Sequence, residues 1–336
     1  MKSPEKLPFV KVYDGYGHSE NLIVYGHLLQ KQPHVTLNYE KNGLLQNIWQ
    51  LIKLFKVKPV PYAKVKLTFE SQSVEAITAS DGFFKIELTP QHHLAAGWHA
   101  LEVHAIDDNG NEISSSTGKV FIPHLSQFAF ISDIDDTIIR SFSAKIFKRL
   151  YELISRNPAK RRLFDETAKQ YNLLAFSFAK DKLPNPFFYV SSSEWNLYDY
   201  LKNVFKVKKL PEGIFLLNQI KRWKELILTG KTGHDGKFLR IVRLFKAFPN
   251  QQFILLGDNS QKDPEIYAKI ADKFAAQIFA IYIRNVRNSR ADDAQMLLEV
   301  HSTNGIPVCI FKDSKEAIEH GIKIGLIDAN LPADFA

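Results

Sequence analysis

Phe128-Ala-Phe-Ile-Ser-Asp-Ile-Asp-Asp-Thr-Ile-Ile139 is the stretch that decides the fold. An apolar run ends abruptly in three carboxylates within four residues. Such a run reads as a strand buried on both faces, as in a parallel α/β sheet. Asp133, Asp135 and Asp136 then stand at its carboxyl end, where open α/β sheets bind ligands. Carboxylates this close repel, so one of them has a raised pKa unless positive charge neutralises the group. A hard divalent cation with oxygen ligands does so, and Mg²⁺ suits a phosphate substrate. Residues i and i+2 of an extended segment point the same way. Asp133 and Asp135 can therefore face one reacting atom, one as nucleophile and one moving a proton. An acidic turn that merely caps a helix would look similar.

Working outward, 122–124 marks a change of pattern. Before it, short alternating segments predict an all-β sandwich over 1–124. They include Leu22–Leu29, Ala63–Phe69, a hairpin of two short strands over Ile77–Leu88 around Asp81-Gly82, and Gly97–Ile106, with Asn109-Gly110 marking the next turn. After it, strands at 128–133, 186–191, 212–217, 251–257, 278–283 and 306–311 are expected. They alternate with helices at 143–156, 160–172, 196–205, 237–247, 264–274 and 314–322. This predicts a doubly wound α/β domain over 125–336, with a cap insertion near 142–183.

An amphipathic helix is expected near 42–56, with Leu44, Leu45, Ile48, Trp49, Ile52 and Phe55 on one face. It either lies in a membrane interface or packs on protein. The chain carries 44 basic and 36 acidic residues, a balance that suits an anionic partner. Its single cysteine, Cys309, excludes an internal disulfide framework and fits a reducing compartment. The start of the chain lacks a signal-peptide core, and the apolar runs are too short to span a bilayer. A cytoplasmic protein without an integral membrane segment is therefore expected. The aromatic residues lie mostly at strand positions, so no nucleic-acid partner is expected.

Three further strand ends carry polar groups. Phe187–Ser193 ends in Ser191, Ser192 and Ser193, hydroxyls that can hold phosphate oxygens or cap a helix. Lys237 opens a helix after Gly236 and offers a point charge for phosphate. Phe253–Asp258, followed by Asp263, supplies more oxygen ligands.

Taken in order, Asp133-x-Asp135-x-Thr137, Ser191, Lys237 and Gly257-Asp258-(x)4-Asp263 resemble the haloacid dehalogenase superfamily of Asp-nucleophile phosphatases. The resemblance is closer to the actin-patch-type phosphatidate phosphatases and their bacterial relatives. It rests also on Tyr189–Asp199, Lys237-(x)10-Phe248-Pro249, Gln261–Tyr267 and Ile281–Val286. It implies a haloacid-dehalogenase-like fold and Mg²⁺-dependent hydrolysis of phosphatidate to diacylglycerol and phosphate. Asp133 is implied as nucleophile and Asp135 as acid and base. Thr137, Ser191, Ser192 and Lys237 are implied as substrate-binding residues, and Asp133, Asp135, Asp258 and Asp263 as the metal set, Asp135 through its backbone carbonyl. A phospholipid at a membrane surface is the implied partner, with the protein peripheral there. Glu194, Gly236 and the run Gly257–Gln261 depart from the family pattern without removing a core carboxylate. A phosphatase of soluble phosphomonoesters and a non-catalytic membrane- or protein-binding module are the rival readings.

Overall fold

A computed structural model describes residues 7–32, 54–124, 127–138, 163–164, 166–179, 183–218 and 234–331. Two units result, and the described residues of the first run no further than His124. The first holds β1 (Phe9–Val12), β2 (Gly15–His18), β3 (Asn21–Leu29), β4 (Lys64–Phe69), β5 (Gln72–Ile77), β6 (Phe83–Leu88), β7 (Gly97–Ile106) and β8 (Glu112–Ile122). All eight belong to one hydrogen-bonded sheet, in the order β1-β3-β2-β8-β7-β4-β5, with β6 branching from β3. Alternation decides which face is inside: Val65, Leu67 and Phe69 of β4 are buried while Lys64, Lys66 and Thr68 are less so. One apolar cluster takes Leu22, Val24 and Leu28 from β3, Phe84 and Ile86 from β6, and Leu101 and Val103 from β7. The sheet thus folds over its own core.

Asp81-Gly82 is a turn but not the loop of a hairpin. Gly82 has φ 76°, and a Cβ there would lie 2.6 Å from Leu28 O. The chain turns tightly against β3, and β6 then pairs with β3 instead of β5. Asn109-Gly110 does join paired neighbours, β7 and β8.

The expected helix at 42–56 lies outside the described residues except at its end. There Leu54 and Phe55 are helical and buried, Phe55 at 2% exposure. The expected helix at 143–156 and most of the insertion near 142–183 also lie outside them.

The second unit holds β9 (Phe128–Ser132), β10 (Phe187–Glu194), β11 (Ile214–Asn218), β12 (Gln252–Asp258), β13 (Ile278–Arg284) and β14 (Val308–Phe311). They form a wholly parallel sheet ordered β11-β10-β9-β12-β13-β14. The helices are α1 (Thr167–Phe176), α2 (Tyr198–Val207), α3 (His234–Ala247), α4 (Asp263–Phe274), α5 (Ala291–Thr303) and α6 (Ser314–Lys323). Helix α1 begins seven residues later than its expected start, and α5 was not expected from the sequence. Strand β9 is central: Ala129, Phe130 and Ile131 are sealed on both faces, each large side chain contributing about 1.5–3 kcal/mol by burial. The order reverses at β9, since β10 adds on one side and β12 on the other. The crevice at such a point, beyond the carboxyl ends of the strands, receives what the loops present. Among the described residues no helix is long and apolar enough to cross a membrane.

Candidate active site

Asp133 leaves β9 with its amide still donating to Leu256 O of β12 at 2.9 Å. The side chain is therefore carried straight off the sheet into the crevice. Lys237, on the first turn of α3, donates to Asp133 Oδ1 at 2.8 Å and also to Asp263 Oδ1 at the start of α4. Asp258 ends β12; its Oδ2 accepts from Thr137 Oγ1 at 3.1 Å and its Oδ1 from Ser260 N at 2.5 Å. All these side chains are buried. Asp133, Asp258 and Asp263 each bring a carboxylate oxygen within 4.8 Å of the others.

The charges of this cluster do not balance. Burial, opposed by Lys237 and reinforced by Asp263, Asp258 and Asp135, raises the pKa of Asp133 well above the usual carboxylate range. Burial and then Asp263 push Asp258 up to about 7, against the hydrogen bond from Ser260 and the charge of Lys237. Lys237 moves the other way for its own charge. Burial disfavours the ammonium, but Asp133 and Asp263 outweigh that and raise its pKa. The two partners of one ion pair thus differ: Lys237 is firmly cationic, while Asp133 resists ionising. One ammonium among several buried carboxylates accounts for both. Asp133 Oδ2 is buried and has no hydrogen-bond partner. An orphaned carboxylate oxygen beside two further carboxylates, with no thiolate or imidazole in the group, fits a hard divalent cation.

Asp135 turns elsewhere. Its Oδ2 accepts from Ser191 Oγ at 3.3 Å and Ser193 Oγ at 3.4 Å, and its carboxylate is not among the three that cluster. Strand β10 does not end at Ser191 but continues to Glu194, with its register against β11 broken between Val190 and Glu194. Ser191 and Ser193 consequently share a direction and Ser192 sits between them. Ser193, read from the sequence as a phosphate-holding or helix-capping hydroxyl, is instead a partner of Asp135, and the period of two already paired it with Ser191.

Other groups are also new. Asp136 adopts φ 64°, a left-handed conformation that Asp tolerates better than most residues, and accepts from Ser260 Oγ at 3.2 Å. Tyr171 OH lies 2.7 Å from Ser132 Oγ, which donates to Asp133 O at 2.7 Å. Arg284 ends β13 and is buried between the rings of Phe164 and Phe311. Its Nε donates to Thr137 O at 3.0 Å, and its Nη2 donates to Thr167 Oγ1 at 3.1 Å and Ser314 Oγ at 2.9 Å. It therefore fixes the loop whose Thr137 reaches Asp258. Gly257 serves through space rather than through an unusual φ: a Cβ there would lie 2.7 Å from Asp263 Oδ2 and 2.8 Å from Tyr267 Cε2.

Residues 128–285, a little under half of the chain, match the family described as phosphatidate phosphatase APP1, catalytic domain. The chain is 31% identical over 176 residues to phosphatidate phosphatase APP1 of Saccharomyces cerevisiae, covering 51% of this chain and 29% of that protein. It is 24% identical over 183 residues to an uncharacterized protein of Schizosaccharomyces pombe, covering 52% of this chain and 29% of that one. The match thus spans under a third of each relative's length. A fibronectin(III)-like module of Clostridium thermocellum CbhA covers 34% of this chain and 96% of its own. Its identity of 11% and TM-score of 0.19 carry no argument. Asp133, Asp135, Ser191, Lys237, Asp258 and Asp263 all fall inside the span that is similar to a phosphatidate phosphatase catalytic domain, the domain of a phosphoric monoester hydrolase.

Proposed function

We propose that the chain is a Mg²⁺-dependent phosphatase of haloacid-dehalogenase type that hydrolyses phosphatidate to diacylglycerol and phosphate. The observation that carries this is the buried Asp133 carboxylate, with one oxygen on Lys237 and the other unpartnered beside Asp258 and Asp263. Asp133 attacks phosphorus, forming an O–P bond as the bond from phosphorus to the glycerol oxygen breaks. Asp135, oriented by Ser191 and Ser193, gives its proton to the departing oxygen. It then takes a proton from the water that attacks the aspartyl phosphate, and phosphate leaves as Asp133 is restored. Lys237 offsets the negative charge gathered around the phosphoryl group. Asp133, Asp258, the backbone carbonyl of Asp135 and Asp263 would hold Mg²⁺. Bound there, the ion supplies charge neutralisation for the phosphoryl oxygens. The protein acts from the cytoplasm at the surface of a membrane, where its lipid substrate resides.

The test is phosphate release from phosphatidate in mixed micelles. Turnover is expected with Mg²⁺, its loss in excess EDTA, and a fall of several orders of magnitude in Asp133→Asn with folding intact. Residual activity within about tenfold of wild type, only ~1.4 kcal/mol of barrier, would remove Asp133 as the nucleophile.

A further inference from the structure

Arg240 stands one helical turn beyond Lys237 on α3, and its surroundings are not those of a surface arginine. Its Nη2 donates to Ser191 O at 3.1 Å. The residue is half-buried, and its Nε is closed to solvent with no hydrogen-bond partner among the described residues. Burial, and then the neighbouring Arg243, pull its pKa down to about 10. Among the described residues no carboxylate pairs with it. A charge withdrawn from water without a counter-charge is costly to keep.

Its direction adds to that cost. A Cβ on Gly236 would lie 3.2 Å from Arg240 Nη1. The guanidinium therefore folds back over the first turn of α3, as long helical side chains do. The start of a helix carries partial positive charge and disfavours a cation. Asp133 and Asp263 hold the ammonium of Lys237 instead. The carboxylates hold one cation, and a second, forked one stands beside Ser191 with N–H groups to spare.

We propose that Arg240 is a substrate-binding residue, gripping the phosphoryl oxygens of a phosphomonoester, and of the phosphate left by hydrolysis, from the Ser191 side. This rests on the phosphatase reading above. Ser191 O fixes one nitrogen of the fork, and bare Gly236 leaves room beside another. A planar guanidinium offers paired N–H groups to two phosphate oxygens, which an ammonium does not. Arg240 thus adds a second anion-facing charge to that of Lys237, whose ammonium also serves Asp133 and Asp263.

Orthophosphate is the probe, and thermal unfolding of the full chain with Mg²⁺ present is the readout, at ionic strength held constant with NaCl. A ligand that binds only the folded state raises the melting temperature with its concentration. Arg240→Met is expected to need roughly ten to a hundred times more phosphate than wild type for the same rise, the range for a lost charge-assisted contact. Arg240→Lys should fall between the two, and carries the same comparison if the Met variant does not fold. An unchanged phosphate dependence in the variants overturns the assignment, and a lower melting temperature with that unchanged dependence marks Arg240 as a brace for Ser191 O. A wild-type protein that phosphate does not stabilise defeats the phosphatase reading and this one together.

Discussion

Lys237 Nζ and Asp133 Oδ1, 104 positions apart in the sequence, meet at 2.8 Å, and both side chains are almost wholly buried. The same ammonium reaches Asp263, so one cation holds the starts of α3 and α4 to the end of β9. Removing one partner of a buried pair leaves an uncompensated charge, a loss of about 3–5 kcal/mol. Lys237→Met is accordingly expected to lower stability by that order in urea unfolding and to abolish turnover. Saturating Mg²⁺ should recover part of the stability and none of the turnover. A variant as stable as wild type without metal would deny the pair its structural role.

The carboxylate of Asp258 sets a pH dependence of unusual sign. Its folded pKa of about 7 lies above its unfolded value of 3.8. The native state therefore binds more protons than the unfolded state between those values, and stability falls as pH rises through the window. Such a shift corresponds to ~4 kcal/mol at most. In EDTA, Asp258→Asn should be more stable than wild type at pH 8, with the gain shrinking towards pH 4. Unfolding curves at four or five pH values decide this, and a gain independent of pH contradicts it.

Arg284→Lys keeps the charge and loses the fork. Three hydrogen bonds, to Thr137 O, Thr167 Oγ1 and Ser314 Oγ, cannot all be remade by an ammonium. A loss of at least ~2 kcal/mol is expected. Because Thr137 aims at Asp258, the Mg²⁺ concentration giving half-maximal stabilisation should rise as well. A Mg²⁺ titration followed by melting temperature measures this, and an unmoved midpoint would confine Arg284 to packing.

Phe55 tests the stretch for which membrane and packing roles both stood open. At 2% exposure it is a core side chain. Phe55→Ser is expected to cost on the order of 3–5 kcal/mol, and to reduce turnover of micellar phosphatidate and of a water-soluble short-chain analogue equally. Selective loss on the micellar substrate, at unchanged melting temperature, would restore a membrane role for this residue.

The parallel sheet was legible because its strands are continuous apolar runs, and the run from Ala129 to Ile131 bears this out by being buried on both faces. Asp133 and Asp258 were legible as carboxylates at strand ends and Asp263 as the carboxylate that follows them, and all three converge. Helix α5 was not, because its apolar residues lie on two sides: Ala294 and Leu298 are buried, whereas Met296 and Val300 are exposed. Such a helix has no single stripe for periodicity to find. The partner of β6 was hidden too, since Asp81-Gly82 specifies a turn but not which strand receives the chain after it. Arg284 lay within a quoted motif, yet only the packed sheet shows that it reaches Thr137.

Strand β9 lies between β10 and β12, the second of which arrives much later in the chain. Asp258 follows Asp133 by 258 − 133 = 125 residues, which at 5–20 residues per second of synthesis is a delay of roughly 6–25 s. Until β12 docks, the Asp133 carboxylate lacks Asp258 and Asp263 as neighbours, two of the causes that raise its pKa in the folded chain. Its desolvation falls late in folding, after the long loop between the two strands has been closed. A nascent chain thus assembles the group of Asp133, Asp258 and Asp263 only once its sheet is complete.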